Sequence, residues 1–150
     1  MPTHSEKRKV PYTPEQMFDL IADVKSYPEF LPWCSAARER KRTPLPEGAG
    51  EVVDADLVIS FKVFRERFGS RVTLRPGTKV IDVEYLDGPF RYLNNHWQFN
   101  RLEDGRCEID FFVDFEFKSA MLQSLIGMVF NQAMQRIVAA FEQRAKVLYG

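Results

Sequence analysis

The amino-acid sequence predicts an α+β domain of helix-grip type. A curved antiparallel sheet of about seven strands wraps one long C-terminal helix, with two short helices after the first strand. Three observations carry this. Residues 51–118 hold segment after segment in which apolar side chains recur at every second position. At Ser119 the period changes to that of a helix and holds for nearly 30 residues. Two capping patterns, Thr13-Pro14-Glu15-Gln16 and Ser26-Tyr27-Pro28-Glu29, open short helices ahead of the alternating run.

Residues 3–10 read as a charged strand at a sheet edge. Thr13 is the expected N-cap of the next helix, with Pro14 at its first position and Gln16 reaching back. Met17, Phe18, Leu20 and Ile21 give that helix an apolar side. The second short helix stops at Pro32. Residues 34–42 form a strand, and Pro44, Pro46, Gly48 and Gly50 form a loop. In 51–64 the inward residues are Val53, Ala55, Leu57, Ile59 and Phe61, with Asp54, Asp56, Ser60 and Lys62 opposite. In 65–75 Phe68, Val72 and Leu74 stand opposite Arg67, Arg71 and Arg75. Pro76-Gly77 is a turn into 79–86, where Ile81, Val83 and Tyr85 share a face. Asp87-Gly88-Pro89 turns the chain into 91–102, and Asp104-Gly105 is a hairpin signal. Residues 107–118 alternate most regularly: Ile109, Phe111, Val113, Phe115 and Phe117 against Glu108, Asp110, Asp114 and Glu116, with Phe112 as the exception. That is a strand with one buried and one wet face. The long helix carries a stripe of Leu122, Leu125, Ile126, Val129, Ala133, Ile137, Phe141 and Leu148. Between Ser119 and Gln135 it holds no charged residue. A helix apolar on several sides must be covered on several sides, by a curved sheet or by a cavity holding an apolar ligand.

A chain of 150 residues suits one domain, spanning 1–150, and can bury a core without staples. Thirteen Phe exceed what a core of this size needs, and large rings also line apolar cavities. Lys plus Arg and Asp plus Glu balance at 21 each, which argues against DNA binding and against a global attraction to anionic membranes. One local exception, Arg38, Arg40, Lys41 and Arg42, reads either as a solvated strand face or as a docking patch for a polyanion such as RNA or lipid headgroups. Cys34 and Cys107 read as reduced thiols of a cytoplasmic protein, and the polar stretch from Met1 to Lys9 does not resemble a signal peptide.

The chemistry of common catalytic sites is missing. His4 and His96 have no zinc-like spacing with Cys or carboxylates, so no metal site is expected. No glycine-rich phosphate loop, G-x-S-x-G or Cys-x-x-Cys occurs. Asp54/Asp56 and Asp114/Glu116 fall on polar strand faces, where exposed surface is the simpler reading than catalysis. His96 reads as a partly exposed strand histidine, with a general base in a pocket as the alternative.

Two stretches carry a family likeness. One runs from Val10-Pro11-Tyr12-Thr13-Pro14-Glu15-Gln16 through Tyr27-Pro28-Glu29-Phe30-Leu31-Pro32-Trp33-Cys34. The other is Leu86-Asp87-Gly88-Pro89-Phe90, followed by Trp97 and Phe99, with Ala139-Ala140-Phe141-Glu142-Gln143-Arg144-Ala145 near the end. Together these resemble the coenzyme Q-binding protein family, whose bacterial members include a ribosome association toxin. That family is grouped with the polyketide cyclase/dehydrase and START-like lipid-transfer superfamily, and the likeness covers essentially the whole chain. It implies a tunnel between sheet and helix, and a bacterial member without a transit peptide.

The resemblance implies a non-catalytic carrier of ubiquinone or a related polyprenyl lipid that supports respiration, with no cofactor beyond that ligand. Peripheral contact with the inner membrane is an accompanying expectation. Docking on the large ribosomal subunit is the alternative, and a cyclase-like enzyme the third. Each buried CH₂ stabilises by about 0.8 kcal/mol, so a prenyl tail needs only a dry tunnel. The expected lining is Phe30, Leu31 and Trp33 after the short helices and Phe90 beside the turn. Trp97, Phe99, Phe111, Val113 and Phe115 come from the sheet, and Met121, Leu125, Met128 and Val129 from the uncharged half of the helix. Tyr27, Pro28, Pro32, Gly88 and Pro89 are expected at the tunnel mouth.

Overall fold

A computed structural model of the protein describes residues 3–61 and 64–150; Met1, Pro2, Lys62 and Val63 lie outside the described residues, so the expected outward position of Lys62 falls there. The elements follow the expected order. They are β1 (Thr3–Val10), α1 (Pro14–Ala22), a 3₁₀ turn (Val24–Glu29), β2 (Cys34–Pro44), a second 3₁₀ turn (Pro46–Gly48), β3 (Glu51–Phe61), β4 (Phe64–Arg75), β5 (Val80–Asp87), β6 (Phe90–Arg101), β7 (Cys107–Phe117) and α2 (Ala120–Tyr149). The seven strands form one sheet in the order β1-β7-β6-β5-β4-β3-β2, each pair antiparallel.

Strand β7 alternates buried and half-buried residues along its whole length, with Phe112 on the outer side. It lies between β1, which it pairs over Cys107–Asp114, and β6, which it pairs over Cys107–Phe117. The edge strand β1 is different. Its inner face carries His4, Glu6 and Arg8, and α2 covers them: Arg8 reaches Glu142 at 3.1 Å, and His4 lies 3.3 Å from Asn131 while packing on the Phe111 and Phe130 rings. A charged strand at a sheet edge also discourages pairing with another chain.

The long helix is seated by Leu122, Phe130, Ala133, Met134, Val138, Phe141 and Ala145. This differs from the expected stripe. Ala133 and Phe141 hold their inward positions, but Val129 and Leu148 are exposed, and Phe130 and Ala145 take the inward places. Phe141 is the hub, with Tyr27, Phe30 and Trp97 ring centroids 5.2, 5.3 and 5.3 Å away. Among the described residues no helix is long and apolar enough to cross a membrane.

Candidate ligand-binding cavity

The sheet and α2 do not close on each other along their full length. A cavity of about 240 Å³ remains between them. Strands β3, β4 and β5 supply Leu57, Ile59, Phe61, Phe64, Phe68, Val72, Ile81 and Val83 to its wall. Strands β6 and β7 add Phe90, Leu93, Trp97, Phe111, Val113, Phe115 and Phe117. Helix α2 contributes Leu122, Ile126, Ala133, Met134, Ile137 and Phe141. The segment between the first 3₁₀ turn and β2 adds Val24, Tyr27, Leu31, Pro32, Trp33 and Cys34.

The lining residues that flank the β3–β4 hairpin, Ile59, Phe61, Phe64 and Glu66, are half-buried or exposed, which puts the open end of the cavity beside them. Trp33 turns the chain there with a left-handed φ of 65°, a conformation uncommon for a large side chain. Its ring meets Phe61 edge-on at 6.1 Å, and the Arg136 guanidinium lies 5.2 Å above it. Glu66, exposed, stands on the same rim.

Polar groups on the wall are few: Tyr27, Cys34, Glu66, Ser70 and Asn95, together with the Trp97 indole N–H. Tyr27 donates its hydroxyl to the Ile21 carbonyl at 2.5 Å, and desolvation holds its pKa above the ordinary phenol range. Burial pushes the Cys34 thiol up to about 11, so it is a thiol and not a thiolate near neutral pH. Trp97 Nε1 donates to Asn95 Oδ1 at 2.9 Å, and Asn95 Nδ2 donates to the Phe112 carbonyl at 2.8 Å. Neither histidine lines the cavity. His96 is on the outer face of the sheet, 2.5 Å from Asp82, so the pocket-base alternative has no geometry behind it. Among the described residues no cluster of His, Cys, Asp or Glu could hold a metal ion.

Of the expected lining, Leu31, Trp33, Phe90, Trp97, Phe111, Val113 and Phe115 lie on the wall, as do Tyr27 and Pro32 from the expected mouth. Phe30 and Phe99 do not. Phe30 packs behind the wall on Tyr27 and Phe141 with Arg144 over its face, and Phe99 is core against Phe18 and Trp97. Met121, Leu125, Met128 and Val129 are also off the wall. Met121 and Met128 point to solvent at 67% and 74% exposure, because helix rotation gives the sheet-facing positions to 122, 126, 130 and 133. Pro28, Gly88 and Pro89 do not reach the mouth. Gly88 has φ +135°, and a Cβ there would fall 2.8 Å from Phe68 Cα, so its role is to let the β5–β6 turn lie against β4.

The wall residues of β3 to β5 were visible in the sequence as inward-facing, but nothing there separates cavity lining from solid core. Ser70 and Asn95 carried no signal beyond their strand positions.

The basic stretch on β2 is woven into acids. Asp56, only 7% exposed, accepts from Arg38 at 3.1 Å, from Arg40 at 2.8 Å and from Arg67 at 2.6 Å. Arg67 also donates to Asp87 at 2.9 Å. Arg42 pairs with Glu39 and Glu51 at 2.5 and 3.0 Å. Arg40, with Arg38 and Arg67, holds the Asp56 carboxyl well below the usual carboxylate range. The expectation of Asp56 as free exposed surface is therefore corrected: three guanidinium groups close over it. Arg38 keeps 76% of its side chain in solvent, and Lys41 is exposed.

A curved antiparallel sheet gripping a long helix over an apolar cavity defines the helix-grip class of proteins. The polyketide cyclase/dehydrase and lipid transport family matches residues 10–142, and the chain belongs to that family. Ribosome association toxin RatA of Rickettsia prowazekii is 43% identical over 140 residues, covering 91% of each chain. The mitochondrial coenzyme Q-binding protein COQ10 homolog B of Xenopus laevis is 34% identical over 151 residues, which is 98% of this chain and 59% of that one. An 18 kDa protein of Caulobacter crescentus superposes with a TM-score of 0.79 at 37% identity, covering 100% of this chain and 99% of that one. An aromatase/cyclase of Streptomyces, 18% identical, shares the fold with a TM-score of 0.79 over 97% of this chain and 93% of its own.

Proposed function

We propose that this protein binds a polyprenyl quinone or a closely related lipid and carries it, without chemistry, in support of respiratory electron transport. One observation carries the reading. The cavity wall is aromatic and aliphatic almost throughout, and its few polar groups include no acid–base pair. Such a wall rewards burial of apolar surface at about 25 cal/mol per Å² and leaves a charged ligand unsolvated. The name of the Xenopus relative supports the quinone class. Ubiquinone is the ligand and no other cofactor is needed. The protein would act in the cytoplasm and meet the inner membrane peripherally when it loads.

The test is titration with a short-chain ubiquinone followed by Trp fluorescence, since Trp33 and Trp97 both stand on the wall. A saturable change is expected. No saturable response to any quinone or lipid overturns the reading.

A second reading is docking on the large ribosomal subunit with a block of subunit association. It is favoured by relatives of 34–43% identity named ribosome association toxins and by the exposed arginines on the outer sheet face. The cyclase alternative draws on the family's description and on fold likeness, and among the described residues no paired acid and base lines the cavity to serve it.

A further inference from the structure

The cavity is apolar but not uniformly so, and its uncommitted hydrogen-bond donors are concentrated away from the mouth. Four polar groups on the wall are already engaged: the Tyr27 hydroxyl with Ile21, the Cys34 thiol with Ala36, the Trp97 indole with Asn95, and one Asn95 N–H with Phe112. Trp97 can only donate and the Phe112 carbonyl can only accept, so the Asn95 amide orientation is determined, and its second N–H is left over. The Ser70 hydroxyl makes no hydrogen bond among the described residues, although the residue is only 1% exposed. It is not sealed away either, because no fully enclosed side-chain polar atom lacks a partner. It therefore opens on the cavity that it lines.

Both groups lie on the wall away from the β3–β4 hairpin. Strand β4 runs along the wall from Glu66 at the rim through Phe68 to Ser70 and Val72. At about 3.3 Å per residue, Ser70 is about 13 Å further in than Glu66. Val72 pairs with Val83 and Val83 with Asn95, so Asn95 lies two strands over and one side-chain row beyond Ser70. With strands about 4.8 Å apart, the two backbones are on the order of 12 Å apart. Between them stand Val83 and Leu93, which offer only apolar surface.

We propose that Ser70 and Asn95 are the specificity residues of this cavity, holding the carbonyl oxygens of a ligand that enters ring first. The ligand class is an apolar molecule with a carbonyl-bearing ring at one end, which a quinone satisfies and a plain hydrocarbon does not. A hydroxyl and an amide N–H inside an apolar wall favour an acceptor and penalise a molecule that leaves them unpaired.

This inference rests on the quinone-carrier reading, and the experiment separates the two. Decyl-ubiquinone and decylbenzene are titrated into the wild type, Ser70→Ala and Ser124→Ala, following Trp fluorescence. Ser70→Ala should weaken decyl-ubiquinone about 5- to 10-fold, the effect of one lost neutral hydrogen bond, and leave decylbenzene unchanged. Ser124→Ala, exposed on α2 and away from the cavity wall, should change neither. Unaltered quinone affinity in Ser70→Ala, or an equal loss for both compounds, overturns the ring-first assignment while the carrier reading stands. Wild-type protein that binds neither compound overturns the carrier reading and this assignment with it.

Discussion

Met128 and Met134 share a helix but not an environment: 74% of Met128 is exposed and only 6% of Met134, which lines the cavity. Met134→Arg buries a charge without a partner and should abolish quinone binding while lowering the melting temperature. Met128→Arg should stay within about 0.5 kcal/mol of wild type and bind normally, as surface substitutions do. Parallel thermal melts and Trp titrations check both. Asp56 makes a second residue-scale case. Its folded-state pKa lies below the ordinary value, chiefly through the Arg40 hydrogen bond. The unfolded chain therefore takes up the proton first as pH falls. The stabilisation is fully present above the unfolded value of about 3.9 and is lost progressively as pH drops toward the lower folded value. Denaturant melts at pH 7, 4 and 3 should show that Asp56→Asn has lost stability at pH 7, by about 2 kcal/mol, and that the gap to wild type narrows at pH 3. An unchanged gap would mean that the three arginines gain nothing from the charge.

At the scale of elements, α1 is a short helix that depends on its start. Thr13 Oγ1 accepts from the Gln16 amide at 3.1 Å, and Gln16 Oε1 accepts from the Thr13 amide at 3.0 Å. Thr13→Ala leaves both ends of this exchange weakened and should cost about 1 kcal/mol, read as a melting temperature lower by about 2–4 °C. The capping box was legible in the sequence because it is local chemistry at fixed spacing. The strands were legible for a similar reason: β7 alternates with period two, and its register on β1 and β6 puts the apolar set inside. The rotation of α2 was not. Its first half is uncharged all round, so Leu125 and Val129 fit a helical stripe as well as Ile126 and Phe130 do. Only the sheet decides which stripe is covered. The cavity wall was half legible. Trp97, Phe111 and Phe115 follow from alternation, whereas the departure of Phe30 and Phe99 from the wall depends on how far the sheet curls. Ser70 shares the parity of Phe68 and Val72, so its face was legible, but nothing in the sequence tells a serine that opens on a cavity from one packed in solid core.

For the whole molecule, zero net charge makes any docking a matter of local surface. The outer face of β2 to β4 is not a free cationic patch, because Arg40 joins Asp56 and Asp87, and Arg42 joins Glu39 and Glu51. Reversing Arg40 would set a new carboxylate against Asp56 and confuse docking with folding. The cleaner variant pairs Arg38→Glu with Lys41→Glu, which are the exposed members of the stretch. Exposed ion pairs contribute about 0–1 kcal/mol each, so the fold should persist. Quinone binding should be unaffected, because neither residue lines the cavity. Binding to a polyanion should weaken, and the slope of log affinity against log salt should flatten by about one unit for each phosphate contact removed. Co-sedimentation with ribosomes and with anionic vesicles, each at low and high salt, measures this directly. Salt-sensitive binding to ribosomes alone, lost in the double variant, would move the ribosome-docking reading ahead of the carrier. Salt-sensitive binding to vesicles alone would support a carrier that collects its ligand at the membrane surface. Wild type that binds neither at low salt would leave the arginines of β2 as a solvated face whose work is to neutralise Asp56.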